Sequence, residues 1–361
     1  MRRASPSPEH PVANRNQRSR TRRPRRAATP LSLGTLVLAA LILLVIYASG
    51  KLENEPGGPG TYLPASPGTG TVGVFVEPDD GRAPILDEIQ AATRSIRLQV
   101  YLLSDQEIIN ALKQADRRGV DVRVMLEDAP YGGAGNQPEV FVDLQRSGIE
   151  VRWANPAYRF MHIKTFIFDE RVAMIMNLNL TRSAFTRNRE FGVITTRPGD
   201  VQQALAIFEA DWARAPDPPD GPLVVSPSSS RTEIQNLLRS ATTSLDIYAE
   251  VIADRQIVSL LEQAERRGVR VRILVPGDDE EDARAAAFEL INEGVDVRKV
   301  PGLYIHAKVI IVDGQRAFIG SQNFTATSLD QNRELGIILD DPANLQRITA
   351  VFDFRESTPF A

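Results

Sequence analysis

Residues 162–169 read HIKTFIFD and residues 306–313 read HAKVIIVD, so the chain contains the pattern H-x-K-x4-D twice. Only three histidines occur in the 361 residues, and the third, His10, lies in an arginine-rich N-terminal segment. Both remaining histidines therefore occupy the same position of the same motif. This coincidence indicates a duplicated functional unit.

The similarity extends beyond the two motifs at a constant spacing. Asn179 corresponds to Asn323, and the triplet Asn-Arg-Glu at 188–190 recurs at 332–334. Upstream, the segment RRGV also occurs once in each half of the chain. A register that persists over so many positions indicates two homologous halves, each with one copy of a site.

Apolar and amphipathic patterns predict strands and helices in the same order in both halves. The predicted elements are Ile85–Thr93, Ser95–Leu102, Asp105–Arg118 and Val120–Leu126, then Ser244–Ala249, Asp254–Arg267 and Val269–Val275. Alternating strands and helices indicate an α/β architecture. We expect half-domains at 73–213 and 223–361, joined by a proline-rich connector at 214–222 that neither a helix nor a central strand would tolerate.

The N-terminal segments differ from the rest of the chain. Residues 1–30 contain nine arginines and one acidic residue, a composition that predicts a disordered tail. Residues 31–48, LSLGTLVLAALILLVIYA, carry no charge and are just long enough for a transmembrane helix. Residues 49–72 are rich in Gly and Pro, which is typical of a stalk.

The charges around the apolar stretch predict its orientation. Under the positive-inside rule the arginine-rich tail stays in the cytoplasm, so the two half-domains lie outside a cell membrane that the chain crosses once. The alternative is secretion after cleavage of a signal peptide near Ala48-Ser49-Gly50.

The charge argues against a nucleic-acid partner, and the cysteine content excludes thiol chemistry. The net charge is −4 although the tail is strongly basic, so the rest of the chain has a clear excess of acidic residues. Such a surface is a poor match for nucleic acid, and we expect no nucleic-acid partner. The absence of cysteine excludes disulfides, thiolate zinc sites and a cysteine nucleophile.

Both motifs lie in apolar runs that predict strands, where residues i and i+2 share a face. His162 and Lys164 therefore project together, as do His306 and Lys308. Two imidazoles that exchange proton and nucleophile roles, with two ammonium groups to hold an anion, provide what phosphodiester cleavage needs.

The motif aspartates, Asp169 and Asp313, stand at an odd spacing from their histidines. They face the other way on the strand or lie past its end. We therefore interpret them as structural carboxylates in the following turn.

The double motif resembles the phospholipase D superfamily, whose pattern is H-x-K-x4-D-x6-G-S-x-N. The second copy matches throughout, whereas the first has Met176 and Asn177 in place of Gly-Ser. The resemblance implies two α/β/α half-domains related by a pseudo-twofold axis. The active site would lie at their interface, so that a monomer is sufficient for a complete site.

The same resemblance implies a two-step displacement through a phosphohistidine. His162 would attack phosphorus, while His306 would protonate the leaving group and then activate water or an alcohol. The sequence itself does not distinguish the two histidines.

The resemblance also assigns the remaining roles. Lys164 and Lys308 would bind phosphoryl oxygens, and Glu190 and Glu334 would orient the histidines. Further substrate hydrogen bonds are expected from Asn177, Asn179, Ser321 and Asn323. Because lysines supply the positive charge, no metal ion or other cofactor is implied.

The expected activity is that of a phospholipase D-like phosphodiesterase that hydrolyses or transfers phospholipid head groups at a membrane. One alternative is a phosphatidyltransferase of the cardiolipin-synthase type, and another is a nuclease. The altered first motif keeps open a third, a catalytically weak scaffold that binds lipid.

Overall fold

The computed structural model describes residues 70–133, 135–276, 281–352 and 354–360. The predicted tail, transmembrane helix and most of the stalk, residues 1–69, lie outside the described residues. In the described part, every helix is too short or too polar to cross a bilayer.

The first half of the chain forms one mixed β-sheet with its helices. Its elements are β1 (Val72–Glu77), α1 (Ala83–Ala91), β2 (Ser95–Val100), α2 (Gln106–Arg117), β3 (Asp121–Leu126), α3 (Gln137–Arg146), β4 (Glu150–Trp153), β5 (Lys164–Phe168), β6 (Val172–Met176), β7 (Asn188–Thr195) and α4 (Pro198–Ala213). The strand order is β1-β7-β6-β5-β2-β3-β4. Strands β2, β3 and β4 are parallel, and the others pair antiparallel.

The second half forms a sheet of the same design. Its elements are β8 (Val224–Ser226), α5 (Ser230–Arg239), β9 (Ser244–Ala249), α6 (Arg255–Arg266), β10 (Arg270–Val275), α7 (Glu281–Asn292), β11 (Asp296–Lys299), β12 (Tyr304–Ile305), β13 (Lys308–Val312), β14 (Arg316–Gly320), α8 (Ala326–Asp330), β15 (Glu334–Leu339), α9 (Pro342–Ala350) and β16 (Thr358–Pro359). The strand order is β16-β11-β10-β9-β13-β14-β15-β8, and β12 leaves this sheet to pair with β7.

The two sheets therefore correspond strand by strand, with β1 equivalent to β8 and the motif strand β5 equivalent to β13. The predicted α/β architecture is confirmed, and each helix and strand predicted before the motifs is present within two residues of its predicted ends. This arrangement agrees with two phospholipase D-like halves. The boundaries proposed for the half-domains stay a prediction.

Local signals in the sequence explain where the paired helices begin. The Asp105 side chain accepts hydrogen bonds from the first turn of α2, and Asp254 does the same for α6. Aspartate is a favoured residue at this position because it satisfies backbone N–H groups that have no partner within the helix. Arg82 and Arg231 bind these two carboxylates, so the repeat preserves the cap and its ion pair.

The strands have buried residues on both faces, and the two faces contribute to different cores. In β13, Val309 and Ile311 belong to a core that also contains Ile163 and Ile167 of the first half. The alternate residues Ile310 and Val312 belong to the core of the second half. One face of each sheet therefore packs in a core shared by both halves, which brings the two motif strands near each other.

Candidate active site

Backbone pairing between the halves places both motif histidines. Strand β12, which ends at Ile305, pairs in parallel with β7 at Arg189. At the equivalent place, the N–H of His162 donates to the carbonyl of Arg333 at 2.9 Å. The Arg333 N–H in turn donates to the carbonyl of Phe160 at 2.8 Å. Each histidine segment therefore lies against the Asn-Arg-Glu segment of the opposite half.

The histidine side chains are bound across the same interface. His162 Nδ1 lies 2.8 Å from Glu334 Oε2, and His306 Nδ1 lies 2.8 Å from Glu190 Oε2. Both glutamates are fully buried. A carboxylate on Nδ1 fixes the ring and leaves Nε2 for a reacting group. The two motifs thus form one site that neither half contains alone.

Neighbouring side chains hold the two carboxylates in place. Glu334 Oε1 accepts hydrogen bonds from Ser328 Oγ at 2.5 Å and from Asn332 Nδ2 at 2.9 Å. Glu190 Oε1 accepts one from Asn188 Nδ2 at 2.8 Å. Burial alone would raise the pKa of Glu334, but His162, Lys164 and the Ser328 hydroxyl keep it below its ordinary value.

The two motif lysines are fully buried beside the histidines. Lys164 Nζ donates to the carbonyl of His162 at 2.6 Å, and Lys308 Nζ donates to that of His306 at 2.7 Å. Burial lowers the pKa of Lys164 to about 7 and that of His162 to about 4. The site therefore contains a neutral imidazole at pH 7, beside a lysine whose ammonium form a bound anion would stabilise.

The structure brings two further residues into the site that the sequence interpretation missed. The Tyr101 ring contacts the His162 ring edge-to-face with centroids 4.7 Å apart. Glu250 Oε2 lies 2.5 Å from Lys308 Nζ, and its Oε1 lies 3.4 Å from Nε2 of His306. Tyr101 directly follows β2 and Glu250 directly follows β9, so they hold equivalent positions. Comparing the residues after these two matched strands would have found them.

The departure of the first motif from Gly-Ser leaves a key hydrogen bond intact. Ser321 Oγ accepts from the N–H of Leu335 at 3.1 Å. At the equivalent position, Asn177 Oδ1 accepts from the N–H of Phe191 at 2.7 Å. Asn177 therefore ties β6 to β7 as Ser321 ties β14 to β15.

Met176 is accommodated by the core and does not narrow the site. It is fully buried in the apolar core of the first half, together with Met174. In the second half, a Cβ on Gly320 would come within 2.6 Å of the Phe318 ring and 2.8 Å of the Gly336 backbone. The first half has the slimmer Met174 where the second has Phe318, so a side chain fits at position 176.

The remaining motif asparagines keep unused hydrogen-bonding capacity. Within the described part of the chain, six residues have a buried side-chain amide atom without a hydrogen-bond partner, and three of these atoms belong to motif asparagines: Asn177 Nδ2, Asn179 Oδ1 and Asn323 Oδ1. Buried polar groups normally have partners, so unsatisfied amides beside the histidine strands are suited to a bound ligand.

The motif aspartates lie apart from this group, at the far ends of the motif strands. Asp169 accepts hydrogen bonds from the backbone N–H groups of Thr93, Arg94 and Ser95. Asp313 makes the same contacts with residues 242–244. Partial burial would raise the pKa of Asp169, but the N–H donors outweigh it and lower the pKa to about 2.

A buried ion pair fixes the connector beside the site. The fully buried guanidinium of Arg333 donates to Asp211 at 2.8 Å and to Asp217 of the connector at 2.6 Å. The ring of Tyr158 lies 4.6 Å from this guanidinium. The arginine next to Glu334 thus anchors its strand to the first half.

The family described as "Cardiolipin synthase, PLD-like domain" matches residues 85–212 and 234–355, which together make up more than half of the chain. The chain belongs to the phospholipase D superfamily. The two matched segments correspond to the two sheets, so each half of the site comes from one phospholipase D-like unit.

Curated relatives in the superfamily include two cardiolipin synthases. The cardiolipin synthase of Halalkalibacterium halodurans is 27% identical over 308 residues, which cover 71% of this chain and 60% of the relative. Cardiolipin synthase A of Yersinia pseudotuberculosis is 25% identical over 316 residues, covering 73% of this chain and 64% of the relative. The chain thus spans less than two thirds of the length of these relatives.

Solved structures with the same fold are more distant in sequence. The phosphatidylserine synthase of Haemophilus influenzae has a TM-score of 0.62 at 12% identity, over 79% of this chain and 85% of that one. The polyphosphate kinase of Porphyromonas gingivalis also has a TM-score of 0.62, at 19% identity, over 78% of this chain and 50% of that one. At these identities, the likeness concerns the phospholipase D fold alone.

Proposed function

We propose that the chain is a phosphatidyltransferase of the phospholipase D type, which transfers the phosphatidyl group of a phospholipid to an alcohol. Hydrolysis results where water replaces the alcohol. The proposal is carried by the reciprocal pairing of His162 with Glu334 and of His306 with Glu190, each at 2.8 Å. The similarity to cardiolipin synthases supports a glycerolipid alcohol as the acceptor.

In the first proposed step, His162 Nε2 attacks phosphorus and the bond to the head-group oxygen breaks. His306 gives its Nε2 proton to the departing oxygen, so that a free alcohol and a phosphohistidine form. The lowered pKa of His162, about 4 because of burial, supports this role, since a neutral ring has a lone pair at neutral pH.

In the second step, the acceptor hydroxyl gives its proton to His306 and attacks phosphorus. The phosphorus–nitrogen bond to His162 then breaks, and both histidines return to their starting forms. Lys164 and Lys308 hold the non-bridging oxygens in both steps, where fixed positive charge opposes the charge that develops. The amides of Asn179 and Asn323 supply further hydrogen bonds to the bound lipid.

The proposed setting is a membrane surface. We propose that residues 31–48 anchor the chain, with the catalytic part outside the cytoplasm and beside its phospholipid substrate. One chain supplies both motifs, so a monomer is sufficient for the site. No metal ion or other cofactor is required by this chemistry, and nucleic acid is not a proposed partner.

A transphosphatidylation assay tests the proposal. The full chain in detergent is incubated with mixed phospholipids, with and without ethanol, and the lipids are analysed by mass spectrometry. We expect phosphatidylethanol only when ethanol is present, and none with His162→Ala. Phosphatidic acid alone would indicate a hydrolase. Lipid binding without turnover would support a scaffold, and cleavage of DNA but not lipid would support a nuclease.

A further inference from the structure

The pseudo-symmetry of the site fails at the pair of equivalent positions that holds Tyr101 and Glu250. The two histidines, the two lysines and the two orienting glutamates all recur. Tyr101, however, directly follows β2, whereas Glu250 directly follows the equivalent strand β9. The two side chains face the two histidines, so this difference gives His162 and His306 different surroundings.

His306 lies between two carboxylates. Its Nδ1 is 2.8 Å from Glu190 and its Nε2 is 3.4 Å from Glu250. A neutral imidazole has a hydrogen on one ring nitrogen only, whereas an imidazolium has one on each. Two carboxylates on opposite ring nitrogens therefore favour the imidazolium.

Among the described residues, the one carboxylate within 4.0 Å of a His162 ring nitrogen is Glu334, on Nδ1. The position that corresponds to Glu250 is filled by the Tyr101 ring, which offers no anion to Nε2. Burial holds the pKa of His162 at about 4, so its ring is neutral at pH 7. The lone pair on Nε2 then remains available for attack.

We propose that Glu250 is a positioning residue that makes His306 the proton donor and thereby leaves His162 as the nucleophile. This inference rests on the proposed function and deepens it. Besides Glu190 and Glu250, the charged or titratable groups close to His306 include Lys308, which Glu250 itself binds, and the Tyr304 ring at 6.5 Å. From the opposite half, His162 and Lys164 also interact electrostatically with Glu250.

The proton balance follows from this arrangement. In the first step, His306 transfers its Nε2 proton to the departing head-group oxygen and becomes neutral, while Glu250 stays paired with Lys308. In the second step, His306 takes the proton of the acceptor hydroxyl, and the carboxylate of Glu250 again stabilises the imidazolium. Glu250 neither gains nor loses a proton in the cycle.

The first test measures the protonation of the histidine rings and does not depend on substrate turnover. The chain has three histidines, so selective labelling with ¹⁵N-histidine gives three pairs of ring nitrogen signals, which His10→Gln and His162→Gln assign. At pH 7, we expect His306 to show two protonated ring nitrogens and His162 one. In Glu250→Gln, His306 should lose the imidazolium signature, and in Glu250→Asp it should keep it. A neutral His306 in the unmodified chain would overturn the proposal.

The second test compares leaving groups. Glu250→Gln should slow release of an alkyl head group from phospholipid by tenfold or more, because an alkoxide needs the acid. It should slow a nitrophenyl phosphodiester by less than about threefold, because nitrophenolate leaves without one. Equal losses on both substrates would contradict the role of Glu250.

Controls separate this inference from the proposed function. Glu289→Gln removes a surface carboxylate that pairs with Arg255, and it should behave as the unmodified chain. Circular dichroism monitors folding, and the histidine signals of the unmodified chain decide the question if Glu250→Gln does not fold. Full activity of Glu250→Gln, with His162→Ala inactive, would reject the role of Glu250 alone. No turnover by the unmodified chain would reject the proposed function, and this inference with it.

Discussion

At the scale of single residues, two different side-chain groups make the same hydrogen bond to a neighbouring strand in the two halves of the site. Asn177 and Ser321 both accept a hydrogen bond from the neighbouring strand, although one is an amide and the other a hydroxyl. Tyr101 and Glu250 show the opposite case, since equivalent positions there give the two histidines different neighbours. The first motif is therefore altered in sequence without losing its contact to the adjacent strand.

The two histidines should behave as one unit. His162→Ala and His306→Ala should each lower phospholipid turnover by roughly a thousandfold, and the double variant should be little worse, because groups in one mechanism are non-additive. Initial rates with labelled lipid measure this. Two independent half-sites would instead leave each single variant with a substantial share of the activity.

The pH dependence of kcat/KM should be bell-shaped. His162 must be neutral, so activity should fall as pH drops towards its pKa of about 4. Lys164 must be charged, so activity should also fall as pH rises through its pKa of about 7. Rates on a soluble diester between pH 4 and 9 test this, and a flat profile across that range would contradict it.

At the scale of secondary-structure elements, the turns after the motif strands are held by one carboxylate each. Asp169 and Asp313 adopt left-handed backbone conformations, with φ of 50° and 52°. Each accepts backbone N–H groups from the segment that leads into β2 or β9. These contacts fix the register of the motif strand against its neighbour. They thereby fix the position of the histidine along the direction of that strand.

Replacing these aspartates should reduce stability more than activity. Asp313→Asn should lower the free energy of unfolding by about 2 kcal/mol at pH 7, because hydrogen bonds to a charged acceptor are lost. The carboxylate has a pKa lowered to about 2 in the folded state, so its contribution is present above its ordinary pKa near 3.8. It should be lost as the pH falls towards 2.

Urea unfolding at pH 7 and at pH 2.5 measures this difference. The gap between Asp313→Asn and the unmodified chain should shrink at the lower pH. Asp87→Asn, an exposed position on α1, is the matched control and should show no gap at either pH. A loss of turnover beyond twofold in folded Asp313→Asn would indicate a direct catalytic role instead.

At the scale of the whole molecule, a core shared between the halves makes the site. Ile167 of the first half and Val309 of the second lie in the same buried cluster. The buried pair of Arg333 with Asp211 adds a polar contact across the same boundary. Because each histidine depends on a glutamate from the opposite half, any loosening of this interface should separate both catalytic pairs at once.

The position of the whole molecule relative to a membrane is also testable. If residues 31–48 remain in the bilayer with the arginines inside, protease added outside intact cells or spheroplasts should release a soluble fragment that begins near residue 52. Immunoblotting of the supernatant detects it. Protection of the whole chain would exclude this orientation, and release without added protease would indicate signal cleavage.

The sequence by itself determined the duplication, the α/β class and the strands β5 and β13, which begin two residues after His162 and His306. These features depend on local periodicity, because a strand alternates its faces and an amphipathic helix repeats its apolar side. The caps at Asp105 and Asp254 are equally local.

Only the tertiary structure decided which carboxylate meets which histidine. The pairs His162–Glu334 and His306–Glu190 cross between the halves, and the spacing within one repeat carries no information about such an exchange. The placement of Glu250 beside His306 likewise depends on how β9 packs against β13. Sequence periodicity indicates which residues of one strand or helix share a face. The chemistry of this site depends instead on side chains that the packing of the two sheets brings together.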